Sequence, residues 1–160
     1  MTIAKMRALT FIALLVAALP AWFAIAQDSP TDKNLQSFKG KVVPLAGLLA
    51  KQGAKLDADA EPYWLALQTD DGKIMPLVKD AASRMFFKDA KLLNRPMRLT
   101  AKQIPHSQLL QVINVHSIVG GKLHDVYYWC DICTIKGFEA GPCDCCGAPY
   151  EFREVPVKLK

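Results

Sequence analysis

Residues 63–80 read YWLALQTDDGKIMPLVKD, and this stretch decides the fold class. Two runs rich in β-formers, Tyr63–Thr69 and Lys73–Val78, flank Asp70-Asp71-Gly72. Glycine supplies the positive φ of a tight turn at no steric cost, and a neighbouring aspartate bonds its own backbone. The stretch therefore predicts a β-hairpin. Downstream, AASRMFFKDAKLLN (residues 81–94) is rich in helix formers and spaces Met85, Phe86, Leu92 and Leu93 for one apolar face. Asp80 is placed to cap this helix, and Asn94 before Arg95-Pro96 ends it. PMRLTAKQI (96–104) and LLQVINVHSIVGGKLHDVYYW (109–129) follow as β-rich runs, the second split into a hairpin by Gly120-Gly121. Upstream, FKGKVVPLAGLLAKQG (38–53) is extended and partly alternating, and LDADAEP (56–62) is a polar loop.

The expected order is strand, strand–turn–strand, helix, strand, strand, so the fold class is mainly β. This order resembles the OB-fold, a small, partly open five-stranded barrel with one helix between its third and fourth strands. The resemblance spans about residues 37–119 and is closest in style to exported bacterial OB-fold proteins. It is carried by element order and by FKGKVVPLAG and NRPMRLTAKQI, not by a diagnostic motif. It implies an OB-fold-like domain over residues 37–129. Another small antiparallel barrel or an α+β sheet is the competing architecture.

The first 26 residues have the form of a signal peptide. Lys5 and Arg7 form a basic n-region, an apolar run covers 8–26, and Ala24-Ile25-Ala26 offers a small-x-small cleavage site before Gln27. The competing reading is an uncleaved anchor, since the run is just long enough to cross a bilayer. The expectation is cleavage, no remaining membrane span, and export to the periplasm or beyond. Residues 27–36, QDSPTDKNLQ, read as a flexible lead-in. Loss of the leader lowers the formal net charge from +5 to about +3. With so small a net charge, and its lysines and arginines scattered, a polyanion footprint is disfavoured and nucleic acid is not the expected partner.

Every cysteine lies between residues 130 and 146. Cys130 and Cys133 form one C-x2-C step, Cys143 and Cys146 another, and Cys145 sits inside the second. Two such turns facing each other across a hairpin offer four soft thiolates in a tetrahedron, the preferred set for zinc (Zn2+). CDIC…CDCCG thus resembles a zinc ribbon, read here as a ribbon-like segment and tail over residues 130–160. The fourth ligand is either Cys146 or Cys145, with the other a free thiol. Three other readings compete. Export permits disulfides, although five cysteines leave one over. A redox C-x2-C belongs at a helix N-terminus in a βαβ unit, which the pattern lacks. An iron–sulfur cluster suits four thiolates but not an oxidising exterior.

No motif assembles a nucleophile or acid–base pair from His106, His116 and His124. His124 and Tyr128 in HDVYY match the H-x-x-x-Y haem-attachment pattern of the periplasmic haem chaperones, themselves OB-folds. Tyr63, Trp64, Tyr127, Tyr128 and Trp129 are placed to stack on bases or to fill a core. The function expected is an exported, non-catalytic binding module with a structural four-cysteine zinc site. Its partner would be an envelope protein or a small ligand on the barrel face. The alternative is an envelope thiol-redox or metal-handling protein, delivering metal or haem.

Overall fold

The structure, a computed structural model, describes residues 34–158. The signal segment and most of the expected lead-in lie outside the described residues. Ten elements carry the architecture: β1 (Leu35–Pro44), α1 (Leu45–Ala50), β2 (Leu65–Thr69), β3 (Ile74–Pro76), α2 (Arg84–Lys88), β4 (Pro96–Gln103), β5 (Leu110–Val119), β6 (Lys122–Cys130), β7 (Ile135–Gly137) and β8 (Glu151–Pro156). The strands form one eight-stranded sheet in the order β3-β2-β1-β4-β5-β6-β7, with β8 paired to β6. Every strand pair is antiparallel.

The hairpin at the centre of the sequence argument forms as β2–β3. Gly72 takes φ 85°, its N–H donates to the Thr69 carbonyl at 2.9 Å, and Thr69 N–H donates to the Lys73 carbonyl at 3.0 Å. Its apolar run has a use on both faces. Leu65 and Leu67 enter the main core with Val42, Met75, Phe86 and Leu99, whereas Ala66 faces a smaller cluster with Val43, Leu45 and Leu48.

The sheet is open and eight-stranded, not clearly the small, partly open five-stranded barrel expected. Between β3 and β5 there is one parallel bridge, Leu77 with Leu110, and one flanking bond, Val78 N–H to the Leu110 carbonyl at 2.9 Å. Strand β3 is three residues long and spends all three on its pairing with β2, after which the chain leaves it for the turn before α2. The sheet grows instead on the far side, where β6, β7 and β8 extend it. β6 runs unbroken through residue 129 to Cys130, so the cysteine segment is built on the same sheet. β1 likewise begins at Leu35, inside the stretch read as a lead-in.

Two further expectations need correction. The segment 38–53 is not extended throughout: after Pro44, Leu45–Ala50 is helical. Leu45 and Leu48, one turn apart, bury against Val43 and Ala66, and that burial favours a helix over continued strand. The helix expected over 81–94 is instead the short α2 followed by a separate 3-10 turn, Ala90–Leu92. The break is at Asp89 (φ −129°, ψ 103°), whose carboxylate accepts from Lys91 N–H and from the Tyr128 hydroxyl, both at 2.9 Å. Asp80 accepts from Ser83 N–H at 3.2 Å, so its capping bond falls one turn before α2. Asn94 does end the segment, at φ 59°, with its N–H on the Val42 carbonyl at 2.8 Å.

Candidate metal centre

Both cysteine turns are held by strands. β6 ends at Cys130, which pairs with Ile135 of β7 across the turn 131–134. Thr134, at φ 54°, closes that turn, and Cys133 N–H points at Cys130 Sγ from 3.4 Å. The second turn is pinched by a bridge between Pro142 and Pro149. Inside it, Cys143 N–H donates to the Ala148 carbonyl at 2.7 Å and Gly147 N–H to the Cys143 carbonyl at 2.8 Å. Gly147 sits at φ 73°, which favours glycine there. β8 then returns antiparallel to β6, pairing Trp129 with Glu151, and this register carries the second turn back to the first.

The result is a cluster. The Sγ atoms of Cys130, Cys133, Cys143 and Cys146 all lie within 4.8 Å of one another, with Cys130 and Cys146 3.5 Å apart. All five cysteines are free thiols. Cys130 and Cys143 are buried, Cys133 is half-buried and Cys146 exposed. Of the two adjacent thiols, Cys146 joins the group and Cys145 stands exposed beside it.

The electrostatics of the cluster are uneven. Backbone N–H groups of Cys146 and Cys145, with the Tyr150 hydroxyl, hold Cys143 down at about 6. Donating to that sulfur pushes Tyr150 up to about 12. The Cys145 and Cys146 thiols beside Cys133 push it well above the usual thiol range. At Cys130 the Cys133 amide pulls downward, but desolvation and the Cys146 and Cys143 thiols outweigh it. Four sulfurs this close cannot all ionise alone; a cation in their midst removes the repulsion. The group can therefore hold a metal ion.

Two supporting residues carry no sequence motif. Tyr150 backs Cys143, and its ring fills the space over Gly137, where a Cβ would stand 2.7 Å from the ring. Arg153 donates to Asp131, between the first two cysteines, at 2.7 Å, and to Glu151 at 2.8 Å. Both become visible only through the β6–β8 register.

The other sequence candidates lie apart. His106 is exposed in the β4–β5 turn at φ 58°. His124 Nδ1 contacts the Lys122 carbonyl at 3.2 Å. His116 is buried in β5 with Nε2 3.2 Å from Asp125; burial lowers its pKa, and Asp125 opposes that shift. Tyr128 is buried and donates to Asp89, so H-x-x-x-Y is a strand segment whose tyrosine belongs to the core. Tyr127 and Trp129 pack edge to face at 6.4 Å, capped by Lys136 and Arg153.

Comparisons with protein-family models, curated proteins and solved structures find no match to this chain. The functional reading therefore rests on the geometry.

Proposed function

We propose that the chain is an exported, non-catalytic interaction module of OB type. Its sheet would be stabilised by a structural Zn2+ on Cys130, Cys133, Cys143 and Cys146. The observation that carries this is the sulfur group itself. A tetrahedral site with Zn–S of about 2.3 Å has sulfurs about 3.8 Å apart; here Cys130 and Cys146 are 3.5 Å apart and all four lie within 4.8 Å of one another. Each sulfur comes from a tight turn attached to a strand, so the strands bring the four ligands together. The OB reading is supported by the neighbour order β3-β2-β1-β4-β5, whose two ends approach at the single Leu77–Leu110 bridge.

The binding surface would be the barrel face, where Tyr63 and Trp64 are exposed beside a cleft between Pro44, Pro62 and Phe87. An envelope protein or a small ligand is the partner class. Nucleic acid is disfavoured by the scattered charge. Export is inferred from the n-region, apolar run and A-x-A site alone. Elemental analysis of protein purified from the periplasm, with thiols counted in parallel, tests the metal reading. The expected result is one zinc per chain, with all five thiols titrating in denaturant without prior reduction. Metal-free protein with paired disulfides would overturn it.

A further inference from the structure

Four sulfurs complete a tetrahedral site, yet the segment from 130 to 146 holds five. The fifth is not remote. Cys145 is exposed and lies in the same turn as Cys143 and Cys146, whose sulfurs are within 4.8 Å of that of Cys133, the half-buried member of the four. Cys145 is also the one sulfur that lines a neighbouring cleft of about 640 Å³. The walls of that cleft include Lys88, Lys136, Phe138, Asp144 and Tyr150. Arg84, also on the wall, is paired with Glu139 at 3.2 Å, so the remaining wall charge is net positive.

We propose that Cys145 is a thiol-exchange site through which a small anionic disulfide, bound in this cleft, oxidises the cluster and expels its metal. The inference rests on the four-thiolate metal reading. Cys145 sulfur attacks one sulfur of R–S–S–R, forming Cys145–S–S–R, and its proton leaves with the first R–SH. The neighbouring Cys133 thiolate then attacks Cys145 Sγ and expels the second RS⁻, which takes a proton from water. Two cysteine sulfurs are oxidised to one disulfide and one external disulfide is reduced to two thiols. Cys133 is thereby lost as a ligand, and three thiolates hold the metal less tightly than four. Cys145 with Cys146 is the poorer pair, because adjacent residues reach disulfide geometry only with backbone distortion. Cys130 and Cys143 are buried and out of reach of an incoming molecule.

The test uses purified full-length protein and oxidised glutathione, a disulfide bearing carboxylates. Metal release is followed with a chromogenic chelator, and disulfides are mapped on non-reduced peptides. The expected result is release of the metal with a Cys133–Cys145 bond and two glutathione thiols per chain. Cys145→Ser should begin with the same metal content and release it at least tenfold more slowly. Cystamine, a cationic disulfide, should react several-fold more slowly than oxidised glutathione with the native protein. Equal release from Cys145→Ser, or a disulfide confined to Cys130, Cys143 and Cys146, would overturn the proposal; so would a faster reaction with cystamine. Metal content before oxidation judges the metal reading separately. A Cys133–Cys145 bond formed in metal-free protein would sink that reading while leaving Cys145 as the exchange thiol.

Discussion

Removing the metal should melt the two cysteine turns and spare the strands that carry them. The magnitudes follow from where the apolar contacts lie. Val126 and Tyr128 of β6 belong to the main core, and Tyr150 and Phe152 pack against it. The turns at 131–134 and 141–147 bury little besides Cys143. Ordering their backbone, about eleven residues at ~1.2 kcal/mol each, costs roughly 13 kcal/mol. A structural zinc site contributes an apparent 10–16 kcal/mol near neutral pH, on the order of the same amount. The turns should thus be ordered with metal and disordered without it, whereas β6 and β8 should not depend on it. Hydrogen–deuterium exchange before and after chelation under reducing conditions reads this directly. The amides of Cys133, Cys143 and Gly147 should lose protection, while 122–129 of β6 and 151–156 of β8 keep it. Full protection of those three amides in verified metal-free protein would refute the reasoning, and so would loss of protection across β4 and β5.

Other expectations are shorter. Cys146→Ser should lower metal content, whereas Cys145→Ser should leave it unchanged, by elemental analysis; the reverse result would make Cys145 the fourth ligand. Gly40→Ala should destabilise by about 3 kcal/mol or more in a denaturant titration, because its Cβ would overlap the Gln68 carbonyl oxygen on the neighbouring strand. Burial holds the His116 pKa below 6.5 in the folded state, so the unfolded chain takes up the proton first as pH falls. Stability should then decline below about pH 6.5 and level off once folded His116 protonates; His116→Gln should remove that component from a pH series of melts. Intact mass of the envelope-fraction protein should begin at Gln27; retention of Met1 there would establish an anchor instead.

The legible parts of this molecule are those whose physics is local. Asp71-Gly72 and the Cys–Cys spacings each describe a turn that a few residues specify, and both turns form. Six residues of LAGLLA carry a helical spacing too brief to stand out from the preceding strand, and only burial against Ala66 of β2 makes them a helix. The 81–94 segment has good helix propensity throughout, but Asp89 is drawn out of helical geometry while bonding a tyrosine 39 residues away. No local pattern announces such a contact. The same holds for Tyr150 and Arg153, which reach the metal centre through the β6–β8 pairing.

That pairing also gives a physical reason for a metal ion to be held at this point. A sheet extended past β5 needs an end that does not recruit further strands. β7 has three residues and buries only Gly137, so it offers little hydrophobic stabilisation of its own. β8 pairs with β6 alone, but Phe152 packs against the core and Glu154 accepts from Arg95 and from Ser117 of β5. β7 has no such hold on its register, and a one-residue slip would reverse its faces. Joining Cys130 and Cys133, at the β6–β7 turn, to Cys143 and Cys146, just before β8, would fix the two turns and β7 at one point. A metal ion there would in this sense pin the short β7 edge, while β6 and β8 are held by the core. Such an ion would act on the segment that flanks the cleft at Cys145, so its loss would reshape that cleft and leave the face beside Tyr63 and Trp64 intact.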